Sequence, residues 1–528
     1  MKSTQKYVRP LSILLVVLHV FLVAVGQQLS PAPYSSDTRM NFVRTWNPVK
    51  PDSATSVLND NTYPTVAKIT TQYLDGWGRI VESVVRKGSM ISNAESVDMV
   101  NASLYDDFGR ESYKYLPFGA NSTGGNASIS DGLFKYNPFQ QDSSFNKGIF
   151  SNEAYFYGKT VYEPSPLSRP QEIFAPGNSW SGTESQTLDS NRRSIKIKYW
   201  LNSVNDSVRV WNVTNISNSL GTYGSSSIYA TGQLFKTVTI DENSKQVVEF
   251  KDKEGLVVLK KVQLTAAADT GVGLGHTGWL CTYYIYDASS NLRCVIQPKA
   301  VETLAISGWS LTSTILSELC FRYEYDERNR LIMKKTPGMG ITYLVYDRRD
   351  RLVMKQDSLL RAAHKWSYIL YDDLNRTNST GLITDNTNYN NPVYHWGQAK
   401  ISSAYPTPSS YTNEELTTTF YDDYTWRSTY SNPLSDTRNS SYDSYLLAAS
   451  NSAWPFPQVL NQVNQSKGLI TGSRSKVLGT SSTYLYSVNF YDDKARTIQV
   501  ESQNVTGGTD VVATQFGWAG SSLITIVK

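Results

Sequence analysis

The sequence predicts an all-β protein built from antiparallel hairpins, on three observations. Short runs alternate in apolarity with a period of two, as in Phe321-Arg322-Tyr323-Glu324-Tyr325, which puts every second side chain on one face of a strand. Three such runs end in the same kind of six-residue block: Tyr325-Asp326-Glu327-Arg328-Asn329-Arg330, Tyr346-Asp347-Arg348-Arg349-Asp350-Arg351 and Tyr371-Asp372-Asp373-Leu374-Asn375-Arg376. Composition agrees: 12% of the 528 residues are aromatic, with 35 tyrosines against 17 phenylalanines, which suits sheets whose rings are half exposed. Only 18% are charged, and Ser, Thr and Asn fill the gaps between apolar alternations, the composition of an extracellular β protein rather than a helical cytosolic enzyme.

Each position of the block has a physical task. Aspartate accepts hydrogen bonds from backbone N–H groups two residues on, and Asn, Asp or Gly at the fifth position tolerates a left-handed conformation. Together they specify a type I turn followed by a left-handed residue, a hairpin loop slightly longer than two residues. The tyrosine ring adds buried area with a polar tip that stays wet, and the arginine stacks on a neighbouring tyrosine or pairs with the aspartate. Leu331-Ile332-Met333-Lys334 and Leu352-Val353-Met354-Lys355 continue the chain as the next strands. Recurrence every ~20 to 50 residues marks stacked supersecondary units.

In chain order, Lys2, Lys6 and Arg9 precede the apolar run Leu11–Val25, and Ala24-Val25-Gly26 supplies the small residues a signal peptidase reads. Residues 1–26 are expected to be a signal peptide cleaved between Gly26 and Gln27. The run is shorter than the roughly twenty residues of a membrane span, so no span is expected after its removal. The three basic residues account for three of the four net positive charges, and the near-neutral remainder argues against a nucleic-acid surface.

Residues 27–64 form an extended arm contributing at most one strand, around Asn41–Trp46. Residues 65–262 form an N-terminal β domain with two degenerate copies of the block, around Tyr73-Leu74-Asp75-Gly76-Trp77-Gly78-Arg79 and Tyr105-Asp106-Asp107-Phe108-Gly109-Arg110. Further strands are expected at Tyr155–Tyr162, Ser194–Trp200, Ser207–Trp211 and Leu234–Asp252, with aspartate turns at Asp241 and Asp252. Residues 263–528 are the repeat region, opened by Tyr286-Asp287 and spreading after Arg376 to Tyr421-Asp422 and Tyr491-Asp492, with irregular insertions between. One helix is expected, over Val301–Glu318. The chain ends at Ser521–Lys528 inside a predicted strand, which reads as a truncated array.

These blocks resemble the YD repeats of the RHS family, relatives of the teneurin and toxin-complex shell proteins. The match lies in the spacing Tyr-Asp-x-x-(Gly/Asn/Asp)-Arg followed by an apolar strand. Tyr73–Val262 is similar to the domain of unknown function that precedes YD repeats in some Gram-negative surface proteins, carried by Tyr-x-Asp-Gly-x-Gly-Arg and Tyr-Asp-x-x-Gly-Arg-Glu. The resemblance implies a β-sheet strip spiralling into a hollow shell around a C-terminal toxin or other cargo. The family's autoproteolytic core and cargo domain have no matching residues here, so toxin activity does not carry over.

No catalytic, cofactor or metal site is expected. The acid pairs Asp106-Asp107, Asp372-Asp373, Asp422-Asp423 and Asp492-Asp493 would point to opposite faces of a strand and are poorly placed to flank a glycosidic bond. No segment has calcium-loop spacing, and an arginine beside each turn opposes a cation. His276, His364 and His395 are remote from Cys or His at ligand spacing. The glycine-rich Gly271–Gly278 lacks a phosphate loop's ending and is expected to be a flexible connector. Pairing Tyr286 with Leu292 would set Cys294 opposite Tyr284 and Cys281 opposite Gln297, outside disulfide reach, so Cys281, Cys294 and Cys320 are expected as buried thiols. The expected function is a non-enzymatic scaffold exported to the periplasm, cell surface or medium, with a downstream RHS core or toxin polypeptide as partner. The alternative is a surface carbohydrate-binding or adhesion protein whose aromatic rings stack on a cell-surface glycan.

Overall fold

The computed structural model describes residues 31–51, 55–59, 61–62, 64–90, 96–180, 193–453 and 455–528. The proposed signal peptide, with Gly26 and Gln27, lies outside them. The described chain is all-β with short helices. It forms two compact units: the residues up to Lys198 with Thr239–Lys245, and Tyr199–Val238 with Gln246–Lys528.

In the first unit, Asn41–Pro48, Ala67–Leu74, Ile80–Met90 and Ser96–Leu104 pair antiparallel in chain order. The last of these divides its edge between Tyr113–Tyr115 and Phe118–Gly119. Tyr113–Tyr115 then pairs with Tyr157–Tyr162, and that strand with Pro170–Phe174. Tyr73, Val81, Val84, Val100, Phe118, Ala120 and Phe134 share one buried cluster.

In the second unit, sixteen strands follow one another as a meander, each antiparallel to the one before. They are Gln246–Lys251, Val257–Gln263, Trp279–Tyr286, Leu292–Ile296, Cys320–Tyr325, Leu331–Lys335, Ile341–Tyr346, Leu352–Gln356, Lys365–Tyr371, Thr377–Thr384, Thr412–Asp422, Ser466–Lys476, Tyr484–Tyr491, Thr497–Gln503, Thr509–Phe516 and Ser522–Val527. A separate hairpin, Arg209–Ile216 with Ser219–Ile228, packs on this meander: Tyr223 donates to the Arg293 carbonyl at 2.9 Å, and Arg209 N–H to the Tyr283 oxygen at 2.9 Å.

The aspartate turns form as the spacing predicts. At Asp75, Asp106, Asp241, Asp252, Asp287, Asp326, Asp347, Asp372 and Asp492, the backbone N–H bonds the carbonyl four residues on. The residue three positions on is left-handed in every case: Gly78, Gly109, Ser244, Gly255, Ser290, Asn329, Asp350, Asn375 and Ala495. The extra residue appears in the register, where Glu324 faces Met333 but Tyr325 faces Leu331, the two-against-one count of a bulge.

Other expectations need correction. The bulge at Tyr286 shifts the register by one, so Tyr286 does face Leu292 but Cys294 faces Ile285 rather than Tyr284. All three cysteines are buried thiols. The helix expected over Val301–Glu318 is two, Pro298–Ile306 and Ser313–Glu318, because Gly308 and Trp309 between them are left-handed, with φ of 77° and 66°. Two further helices, Pro138–Ile149 and Pro392–Ile401, stand where none was expected. Each begins with Asn-Pro, and proline at the first helical position forfeits no hydrogen bond. The stretch after Arg376 is largely irregular but not peripheral: Trp426, Leu434 and Leu460 fill a core with Phe420, Val488 and Phe490.

Candidate functional site

The repeated turns form the most regular arrangement of side chains in the protein. In the Asp326 turn, Oδ1 accepts from Arg328 N–H at 2.9 Å and Arg330 N–H at 3.0 Å, while Oδ2 accepts from Arg330 Nε at 2.8 Å. The Asp75, Asp106, Asp347, Asp372 and Asp492 turns repeat this arrangement. Burial works to raise the Asp326 carboxyl, but the Arg330 guanidinium and the turn N–H groups hold it below the usual carboxylate range.

The two roles expected of the arginine as alternatives occur together, and the tyrosine it stacks on belongs to the next hairpin. Arg79 lies over Tyr105, Arg330 over Tyr346, Arg351 over Tyr371 and Arg376 over Tyr421, at 4.4, 5.1, 4.8 and 4.2 Å from the ring centroids. The tyrosine tip expected to stay wet is instead tied back. Tyr105 donates to the Ile80 carbonyl at 3.0 Å, Tyr371 to Leu352 at 2.9 Å and Tyr421 to Thr377 at 2.9 Å, each acceptor being the residue after the stacked arginine. Asp422 departs from the turn rule for the same reason. Left-handed itself, it accepts both terminal nitrogens of Arg376, at 2.9 and 2.6 Å, and this hydrogen bonding lowers its carboxyl to about 2. Removing one of these bonds by Tyr371→Phe is expected to cost about 1 kcal/mol. A urea midpoint equal to that of the parent would contradict the role given to the phenol.

Beside the Asp326 hairpin lies a cavity of about 490 Å³, lined by Tyr325, Tyr346, Trp396, Glu324, Glu327 and Arg328 among others. Its charges are already engaged within the protein: Glu324 with Arg293 at 2.5 Å, Arg328 with Asp350 at 2.7 Å, and Lys400 with Glu327 at 3.2 Å. The cavity therefore offers aromatic surface and satisfied ion pairs.

The histidines serve packing. His276 Nε2 is 2.8 Å from the Tyr283 hydroxyl, and burial, with Lys261 and Arg209 nearby, pushes the imidazole down to about 3. His395, fully buried against Trp366, has Nδ1 2.6 Å from the Tyr405 hydroxyl and Nε2 3.6 Å from Asp385 Oδ2, and burial lowers it to about 4. Sequence spacing does not announce this Asp–His–Tyr alignment, but the ring is sealed from substrate. His364 stacks on Tyr389 at 3.6 Å. In the acid pairs, Asp107, Asp373, Asp423 and Asp493 are exposed while Asp106, Asp372 and Asp492 accept their turns' hydrogen bonds, so no pair converges. No group of three His, Cys, Asp or Glu residues spaced to hold a metal ion occurs among the described residues.

Two buried polar clusters escaped the sequence reading. In the first unit, Lys135 Nζ is 2.8 Å from Asp98 Oδ2, both fully buried, and Lys135 N–H donates to Glu82 Oε1 at 2.8 Å. Burial raises the Glu82 carboxyl to about 8, while its other oxygen has no partner. Between the ordinary carboxylate range and pH 8, folded Glu82 keeps a proton that the unfolded chain has released. Stability therefore falls as pH rises through this window, by at most about 1.4 kcal/mol per pH unit, and levels off above it. Glu82→Gln should flatten that slope, measured as urea midpoints at pH 5 and pH 8. Asp142, raised by burial to about 7, adds to the fall, whereas the lowered His276 and His395 add a rise up to the ordinary imidazole value; both are common to parent and variant, so the difference between the two slopes isolates Glu82, and equal slopes would refute the assignment.

In the second unit, Lys236 and Lys261 lie among Asp206 and Asp269. The available signal was phase: Lys236 alternates with buried Val238, and Lys261 with buried Leu259, so each lysine points inward. Gly271–Gly278 is accordingly no flexible connector. Lys261 Nζ donates to the Leu274 and Gly275 carbonyls at 2.6 and 3.2 Å, pinning the loop.

No curated protein matches the sequence. Solved structures with similarity include a crystal structure of TcdB2–TccC3, at 13% identity and a TM-score of 0.43, covering 88% of this chain and 19% of that one. Another is the Photorhabdus luminescens Tc holotoxin pore, at 12% identity and a TM-score of 0.39, covering 88% of this chain and 22% of that one. The chain thus spans about a fifth of the length of these proteins. No described helix is long and apolar enough to cross a membrane. The region expected to match over Tyr73–Val262 begins earlier and ends sooner: residues 44–194 match the family model described as a domain of unknown function, DUF6443.

Proposed function

We propose that this chain is an exported, non-enzymatic β-sheet scaffold of the YD-repeat (RHS) kind, part of a wall that encloses or displays a cargo or toxin domain on another polypeptide segment. The observation that carries this reading is the link between successive hairpins. Arg79, Arg330, Arg351 and Arg376 each close their own turn on the aspartate and also lie over the tyrosine of the following Tyr-Asp word, as Arg376 does with Asp372, Tyr421 and Asp422. Such a strip is stiffened at these four corners, which serves a container. The engaged charges of the cavity beside Asp326 and the sealed His395 support the same reading. The DUF6443 match is compatible with it and brings no activity.

The test is co-expression with the polypeptide encoded immediately downstream. Co-purification, with that partner protected from added protease, supports the scaffold, whereas an unbound and fully digestible partner argues against it. A glycan-binding surface is favoured by Trp77 and Phe108, 87% and 79% exposed at the tips of the first two aspartate turns. Glycan-array signal lost on Trp77→Ala would support that alternative.

A further inference from the structure

The second unit holds a lysine between two carboxylates, away from solvent. Lys236 Nζ is 2.8 Å from Asp206 Oδ1 and 2.6 Å from Asp269 Oδ2, and the three side chains are 0%, 0% and 3% exposed. The rings of Trp200 and Phe250 lie 5.8 and 5.6 Å from the same nitrogen. The second oxygen of each carboxylate is held by a backbone N–H, Ser203 to Asp206 at 2.8 Å and Gly271 to Asp269 at 2.9 Å. The remaining ammonium, Lys261, stands on the Asp206 side and donates to that residue's carbonyl at 3.1 Å.

We propose that Lys236 and Asp206 become joined by an intramolecular amide bond, with Asp269 carrying the proton. The ion pair is the ground state in water because both charges are hydrated, and enclosure removes that hydration. It also fixes nitrogen and carboxyl in contact, the arrangement for which effective molarities are highest. Lys236 passes an ammonium proton to Asp269, and the free amine adds to Cγ of Asp206. The Ser203 N–H faces the oxygen on which negative charge develops. Asp269 delivers that proton to a carboxyl oxygen of Asp206, then takes the second proton from the added nitrogen and delivers it to the same oxygen as the C–O bond breaks, so that this oxygen leaves as water. One ammonium and one carboxylate become one secondary amide and one water. The two protons lost by nitrogen leave on oxygen, and no oxidant or activating group is consumed.

The first unit provides a contrast within the same chain. Lys135 also touches two carboxylates, Asp98 at 2.8 Å and Asp131 at 3.2 Å, but Asp131 is 38% exposed. Asp98 Oδ2 is further engaged by the Gly132 N–H at 2.8 Å. Open to water on one side, this cluster stays an ion pair. The amide would close a covalent ring between residues thirty apart and tie the Ser203–Ser207 turn to the strand Phe235–Ile240.

The test is the intact mass of the full purified chain, with its N-terminus identified, followed by peptide mapping after denaturing trypsin digestion. The expected mass is one water below that of the sequence, and not two. The map should contain a branched peptide joining Lys236 to Asp206, with no cleavage after Lys236. Lys236→Arg and Asp269→Asn should restore the full mass. An unmodified parent, or water loss mapped to any other pair, overturns the proposal, as does an Asp269→Asn protein that still forms the amide. If neither variant folds, the map of the parent protein decides alone.

Discussion

Asp347→Ala is expected to destabilise the protein by about 3–5 kcal/mol, the range for removing one partner of a buried, hydrogen-bonded ion pair. Asp347 is fully buried and accepts from Arg349 N–H, Arg351 N–H, Arg351 Nε and an Arg351 terminal nitrogen at 2.8, 2.9, 2.8 and 2.6 Å. Alanine would strand those donors together with a guanidinium that is only 13% exposed. Asp347→Asn should fall between parent and alanine, because an amide oxygen still caps the turn but carries no charge. Asp241 offers the comparison: its turn is the same, but its carboxylate accepts from Asn243 and Lys245 N–H with no arginine beside it. Asp241→Ala should cost only about 1 kcal/mol, as for loss of a backbone cap. Urea midpoints for the three variants would test this ordering, and equal losses for Asp347→Ala and Asp241→Ala would show that the arginine contributes nothing.

Trp426→Ala should cost a similar amount, about 3–5 kcal/mol for a large aromatic removed from a core. Trp426 belongs to the stretch the sequence presents as an irregular insertion. Its ring nevertheless stacks on Phe420 with centroids 4.0 Å apart, and its Nε1 donates to Thr471 Oγ1 at 3.0 Å. It also covers Gly472, where an added Cβ would run into the indole ring and the Ser487 carbonyl oxygen. Gly472→Ala is therefore expected to destabilise by about 1–3 kcal/mol through overpacking. The double variant should lose less than the two single losses combined, because removing the indole makes room for the new methyl. Strict additivity in a double-mutant cycle would mean that the two residues do not share the space assigned to them.

The strands and turns were legible because their determinants are local. Asp326 caps N–H groups two and four residues away, and a left-handed Asn329 fixes the bulge, all within one six-residue word. The failures were of two kinds. Two helices were missed, Pro138–Ile149 and Pro392–Ile401, although each is preceded by asparagine and opens on proline, a residue suited to the first helical position. One helix was drawn too long, over Val301–Glu318, across the left-handed Gly308 and Trp309 that divide it.

The candidate site divides in the same way. Pairing of Arg with the Asp of its own turn follows from a spacing of four residues. The reach of Arg376 to Asp422, forty-six residues on, depends on which hairpin becomes its neighbour. The inward lysines could be anticipated from alternation, but the carboxylates that meet Lys236 come from separate loops, at Asp206 and Asp269.

The sequence alone determined where the chain turns and which face of each strand is apolar, because both are settled by hydrogen bonds and sterics within a few residues. Only the tertiary structure decided which arginine meets which tyrosine, which loop closes over a lysine, and that Trp426 belongs to a core. These depend on burial shared between distant segments, whose free energy no short stretch of chain contains.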